Sequence, residues 1–557
     1  MRRFALIVSV GALWAASISG AAELRLPKGA ETAAAKIGEA AIRGATAELA
    51  SDAYEGRAPG SAGDGKARAW IEARAKSLGL APGAADGSYQ QRFEMVGVTP
   101  QLPSDWKFEA QDGSAHTKLT PLDDFVAIGG KQSERAALTA SELVFVGYGI
   151  VAPEFGWNDY KTDVRGKTVL ILNNDPDWDP ALFAGKRRLY YGRWDYKYDE
   201  AARHGAAGAI IVHTDASAGY PWQVVRTSWN GEEFQLPAGD ERRVEIRAWV
   251  TEAKAREIAA LGGRDLTQLT EAAKRPEFTP VALGAKTSLE LPTALRRIET
   301  ANVLALLPGR DARLMSELVV ITAHHDHLGV GEPDASGDAI YNGAVDNASG
   351  VATLLAIAEG FAALPKPPRR SVLFAFVAAE EQGLLGSKYY AQHPTAPPAR
   401  LAANLNFDGA SIFGRTRSVE IIGRGKSSLE ALLELAAARQ DRVVVDEAFP
   451  DQGLYYRSDQ LNFARIGVPA LYFRGGVDVL GKPPGWGREQ QQRWIATQYH
   501  QPSDEIDASW DLAGAVENAQ LGFLVAASVA ETRELPSWRP GDEFEAKRLE
   551  ALRAGQR

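Results

Sequence analysis

The stretch LVVITAHHDHLG, Leu318 to Gly329, is a run of apolar and β-branched residues that stops abruptly at three histidines and an aspartate. Its length and composition are those of a buried strand. In an open α/β sheet ligands bind beyond the carboxyl ends of the strands, so groups that chemistry needs appear where apolar runs give out. His324 and Asp326 stand at such a point. The same event recurs downstream, where SVLFAFVAAEEQG ends in Glu380 and Glu381 and NLNFDG ends in Asp408. Two loops, GAVDNASG with Asp346 and QYHQPSDE with His500, add further ligand types. The constellation reads as a metal site.

Local spacing suggests roles. His-x-Asp places His324 and Asp326 on one side of an extended chain, and a metal-bound imidazole commonly gives its other N–H to a carboxylate. We therefore expect His324 as a ligand and Asp326 as its orienting partner, with His325 pointing the other way and His327 lying further out. Asp346 alone reads as a helix N-cap. Its claim as a ligand comes from the strand ends that converge on it, and a carboxylate can bridge two cations. Glu380 and Glu381 face opposite sides of an ideal strand, so they share a site only if the chain turns, which Gly383 permits.

At 557 residues the chain exceeds one ordinary core and calls for two domains or one domain with a large insertion. It opens MRRFALIVSVGALWAASISGAAELR, a basic start and an apolar run before small residues, which is the pattern of a signal peptide cut after Ala21. The expected address is the periplasm or the medium. Losing Arg2 and Arg3 takes the formal charge from −9 to −11, which argues against nucleic acid as a partner. No later run looks long and apolar enough to span a bilayer, so no stable membrane anchor is expected. Without cysteine, a transition metal must be held by His, Asp and Glu.

Residues 30–52 read as one amphipathic helix, Lys66 to Leu78 as another that stops at Gly79, and QQRFEMVGV as a strand. From about 115 to 290 short β runs alternate with turn residues: ELVFVGYGI, GKTVLILNN, GAAGAIIVH and RRVEIRAWV. We expect a β-rich insert there. It divides an α/β domain into residues 22–114 and 291–540, where strand, loop and helix alternate. The charged tail 541–557 reads as a solvated helix or a frayed end.

The motifs AHHDHLG, YNGAVDNASGVA, AAEEQGLLGS, LNFDG and YHQPSDE, in that order, resemble the co-catalytic dizinc aminopeptidases, whose relatives include glutamate carboxypeptidases and glutaminyl cyclases. SDAYEGRAPGSAG is similar to the family's N-terminal signature, and FVGYGIVAPEFGWNDYKTDVRGKTVLIL to its inserted protease-associated domain. The resemblance implies a three-layer α/β/α sheet and two zinc ions. Asp346 would bridge them, His324 and Asp408 completing one and Glu381 and His500 the other. It further implies Glu380 as general base, Asp326 as the carboxylate behind His324, Tyr499 as a stabiliser of the oxyanion, and a cis peptide between Asp346 and Asn347. Two departures stand out: Val345 replaces an aspartate common in relatives, and the motif Ser458 to Gln460 lacks the histidine that often ends it.

The expected chemistry is hydrolysis of a peptide bond at the amino end by a dizinc-activated water. Carboxypeptidase or dipeptidase action, glutaminyl cyclisation and a binding protein that has lost catalysis are the alternatives. Glu332, Asp334 and Asp338 are candidates to receive a free ammonium, Arg457 and Arg474 to receive a carboxylate, and the loop from Val477 to Trp494 is expected to shape the entrance.

Overall fold

The protein is described by a computed structural model over residues 23–180, 182–229 and 231–555. The expected signal peptide, residues 1–21, lies outside the described residues. The run that decides the fold is the strand Leu318–His324, buried along its whole length. It pairs in parallel with Ser371–Val377 on one side and Leu401–Asn406 on the other, and Ala470–Gly475 continues the parallel set. Val303 to Leu307 and Ser418–Ile422 flank this set antiparallel, which makes the sheet mixed.

Alternate residues of a strand face opposite sides, and both sides here are covered. Val319 and Ile321 pack with apolar residues of the helices Glu39–Leu49, Ser349–Ala362 and Ala513–Glu531. Leu318 and Val320 pack against Tyr390 and Phe463 of the helices Leu385–Gln392 and Gln460–Arg465. This is an α/β fold of three layers, as expected. The helix Ala513–Glu531 is long and apolar enough to cross a membrane by composition, contrary to the expectation that no such run exists, yet it lies mostly inside the core. Its apolar character serves packing from nearly all sides.

A second sheet contains Arg135–Phe145, Thr168–Leu172, Gly208–His213 and Ile246–Thr251, which hold the four expected β runs. Helices including Trp194–Arg203, Glu252–Ala260 and Leu266–Ala273 accompany it, so the region is richer in helix than its sequence texture suggested. Trp106–Ala110 also joins this sheet, ahead of the boundary expected at residue 115. The 27-residue strand Val281–Leu307 passes straight through the boundary expected at 290: Val281 to Pro292 pairs with Arg135–Phe145, and Thr293 to Val303 pairs with Gln90–Pro100. A continuous strand thus joins the two sheets.

Two further expectations change. Residues 30–52 form two helices, Ala30–Ala34 and Glu39–Leu49, separated around Gly38, a residue that weakens helices through its backbone entropy. The charged tail is neither frayed nor merely solvated. Its helix Glu545–Gly555 follows a segment with Trp538 and Phe544 buried, and buried Arg548 donates to the carbonyls of Pro398 and Leu401.

Candidate metal centre

The parallel strands end in register, His324 beside Val377 and Thr322 beside Asn406. Residues just beyond these ends therefore meet at one edge of the sheet. His324 Nε2 lies 3.2 Å from Asp346 Oδ1 and 3.3 Å from Asp408 Oδ1. His500 Nε2 lies 3.1 Å from Asp346 Oδ2 and 3.2 Å from Glu381 Oε2. Asp346 thus presents one oxygen to each imidazole. All five ligand candidates, His324, Asp346, Glu381, Asp408 and His500, come together, and Glu380 belongs to the same cluster, with potential ligand atoms of His324, Glu380 and Glu381 within 4.8 Å of one another.

The turn that lets both glutamates face the site is made before them as well as after. Ala379 adopts φ +55°, and Gly383 and Leu384 follow at +97° and +61°. The amides of Gly383 and Leu384 both donate to the Glu380 carbonyl at 2.9 Å. On the opposite side the peptide between Asp346 and Asn347 is cis. Asn347 ties this loop to the next, accepting from the Gly409 amide at 2.8 Å and donating to the Phe407 carbonyl at 3.1 Å.

Asp326 lies behind His324, both buried. Its Oδ1 is 3.7 Å from His324 Nδ1, which lies nearer the Asp326 carbonyl oxygen, at 3.3 Å. The carboxylate also accepts the amides of Glu380 and Glu381 at 3.1 and 3.3 Å. His325 points away as expected and meets Asp64 Oδ1 at 3.1 Å. His327 corrects its expectation: it is fully buried, with Nδ1 2.7 Å from Glu381 Oε1. The strand has ended at His324, so the alternation of an extended chain no longer tells where His327 goes. Tyr499 stacks its ring on His500, centroids 3.9 Å apart.

Several residues that hold the site were not singled out from the sequence. Asp504, buried, receives the amides of Val345 and Asp346 on its two oxygens at 3.0 and 3.1 Å. Arg57, also buried, donates to the carbonyls of Leu49, His325, Asn342 and Gly343 at 2.6–3.0 Å. Both stand inside quoted motifs, YHQPSDE and SDAYEGRAPGSAG, and that was the available signal.

Negative charge dominates the cluster. Asp326, Asp346, Glu380, Glu381 and Asp408 converge, with Asp459 and Asp504 buried behind them, against the imidazoles and Arg57. Burial pushes Glu380 well above the usual carboxylate range; His324 opposes this, while Glu381, Asp408 and Asp459 add to it. Burial also raises Asp504 to about 6 against the pull of its two amides. It would lower His500, but Glu381 and Asp346 outweigh it and carry that imidazole up to about 10. A buried cluster of this sign calls for cations. Imidazole nitrogens and carboxylate oxygens without sulfur are a donor set that suits zinc, so the residues fit the implied cofactor.

Residues 302–524 match Peptidase family M28. The chain is 23% identical over 408 residues to Aminopeptidase YwaD of Bacillus subtilis, covering 73% of this chain and 69% of that one. It is 25% identical over 180 residues to a vacuolar membrane protease of Yarrowia lipolytica, 32% of this chain, and spans only 17% of that relative's length. Among solved structures, the aminopeptidase from Aneurinibacillus sp. strain AM-1 superposes with a TM-score of 0.50 at 20% identity, covering 91% of this chain and 97% of that one, which shows a shared fold. The segment that matches this family, residues 302–524, carries every proposed metal ligand.

Proposed function

We propose that the chain is a zinc-dependent exopeptidase that removes N-terminal residues from peptides. The observation that carries this reading is Asp346, whose two oxygens face the Nε2 atoms of His324 and His500 at 3.2 and 3.1 Å. In this reading Asp346 is shared between two zinc sites, with His324 and Asp408 serving one and Glu381 and His500 the other. Bound zinc supplies Lewis acidity toward the scissile carbonyl and acidifies water. Glu380 takes a proton from the attacking water and returns it to the leaving amine. Asp326 fixes the backbone of both glutamates, and His327 holds the second oxygen of Glu381. Tyr499 is assigned to the developing oxyanion.

Similarity to Aminopeptidase YwaD across 69% of its length supports action at the amino end. The region 115–290 is assigned as a protease-associated insert that bounds the approach to the site. Its Tyr190 ring lies 6.5 Å from that of Tyr456 in the catalytic body, and Arg187 donates to the Arg424 carbonyl. The substrates are peptides met outside the cytoplasm, in keeping with the N-terminal pattern of the sequence.

The test is hydrolysis of free-amine aminoacyl anilides and their N-blocked counterparts by the mature protein, before and after chelation and zinc restoration. Cleavage of free-amine substrates alone, lost on chelation and regained with zinc, is the expected result. Cleavage of the blocked substrates at equal rates, or none with zinc bound, would overturn it.

A further inference from the structure

Among the charged residues flanking the site, most are already occupied. Asp334 accepts from Ser336 and Asp338 within its own loop, and Asp338 caps Ile340. Arg474 donates to buried Glu420 at 3.1 Å. Arg457 differs. It is exposed, and among the described residues its guanidinium makes no hydrogen bond or ion pair.

Its backbone is held from both sides. Just before it, Tyr455 and Tyr456 are buried, Tyr456 Oη donates to Glu543 at 2.6 Å, and Gln460 Nε2 donates to the Tyr455 carbonyl at 2.6 Å. Just after it, Ser458 and Gln460 receive Asn406 Nδ2 at 2.7 and 2.8 Å. Asn406 is two residues before Asp408, so Arg457 is carried on a turn bolted to a metal-binding strand end. Gln460 makes both links. A second guanidinium comes from the insert: the stem of Arg188 passes Gly453 so closely that a β-carbon there would lie 3.2 Å from Arg188 Cβ. Among the described residues its Nε is buried without a partner, while Nη2 donates to the Ser217 carbonyl.

We propose that Arg457, with Arg188 behind it, receives a carboxylate on the leaving part of the substrate, so that the enzyme favours peptides with a negative charge just beyond the scissile bond. A planar, unpaired guanidinium on a fixed backbone turn suits a carboxylate. The carboxylate belongs either to the C-terminus of a dipeptide or to an acidic side chain. This inference rests on the aminopeptidase reading above.

The test compares kcat/KM for Leu-Ala with Leu-Ala-NH2, and for Leu-Glu-NH2 with Leu-Gln-NH2, in the zinc-loaded wild type, Arg457→Gln and Arg457→Lys. One charge-assisted bond predicts a preference of roughly 10- to 100-fold for the charged member of at least one pair. The preferred pair identifies the source of the carboxylate. Arg457→Gln brings that ratio near one, and Arg457→Lys retains part of it. Ratios near one in the wild type, or a ratio unmoved by Arg457→Gln, overturn the proposal while leucine anilide cleavage keeps the aminopeptidase reading. Loss of all four peptides and the anilide with zinc bound sinks both.

Discussion

Asp326 Oδ1 accepts the Glu380 amide at 3.1 Å, while its Oδ2 accepts the Glu381 amide at 3.3 Å. One carboxylate therefore sets the backbone of both the proposed base and a proposed ligand. Asp326→Asn replaces one acceptor with a donor that opposes an amide. Steady-state kinetics should show a fall of roughly 10- to 100-fold in kcat/KM, as for other residues that orient metal ligands. Wild-type kinetics in a folded Asp326→Asn protein would refute this role.

Glu380 has no other assignment in the site than the proton transfer. Glu380→Gln keeps its shape and should retain zinc, measured by atomic absorption, while lowering kcat by about 10²–10⁴. Full activity would remove Glu380 from the mechanism.

Arg57 serves four backbone carbonyls from a fully buried position. Arg57→Met leaves all of them unsatisfied, and each buried orphan costs about 1–3 kcal/mol. We expect little folded protein, or a thermal midpoint depressed by well over 5 °C. Arg57→Lys should recover only part of this, because a lysine cannot present the same planar set of donors.

Lys426 is buried against the C-terminal segment, with Nζ 2.6 Å from Glu543 and 3.4 Å from Asp542, and the rings of Tyr455, Tyr456 and Phe544 at 4.9–5.3 Å. Lys426→Met strands both carboxylates and should destabilise by about 3–5 kcal/mol. Differential scanning calorimetry provides the measurement. A shift that vanishes in high salt would point to a screened surface pair instead.

Asp159, just before the strand Thr168–Leu172 of the second sheet, is raised to about 6 by burial against the opposing pull of Trp157, the Ile150 amide, Lys197 and Lys161. Its folded value exceeds the unfolded one of about 3.9. The stability it contributes is therefore full below about pH 4 and lost as pH rises through about 6. Asp159→Asn should raise the unfolding midpoint above pH 7, by the equivalent of about 2–3 kcal/mol. That gain should shrink toward zero near pH 4; a gain independent of pH would contradict the assignment.

The strand ends were legible in the sequence because the signal is local. A buried parallel strand needs a continuous apolar run, so the point where Leu318 to Ala323 gives way to His324, or Ser371 to Ala379 to Glu380, is visible without any partner. The same held for the β runs of the second sheet. Continuity between modules was less visible: Val281–Leu307 changes partners midway without breaking, and composition does not record which strand lies alongside. The tail misled for a related reason. Its charges look solvated until Lys426 and the carbonyls of Pro398 and Leu401 are brought to them.

By itself the sequence determined the chemical types at the sheet edge, histidine and carboxylate without cysteine, and the order in which strands deliver them. The tertiary structure alone decided that Asp346 faces His324 with one oxygen and His500 with the other, that His327 turns inward to Glu381, and that Asp326 holds the glutamate amides. It also recruited Arg57 and Asp504 from 268 and 158 residues away. The physical reason is that periodicity governs a side chain only while the chain stays extended or helical. Beyond a strand end its direction is set by loop closure and by the buried hydrogen bonds that distant segments must satisfy.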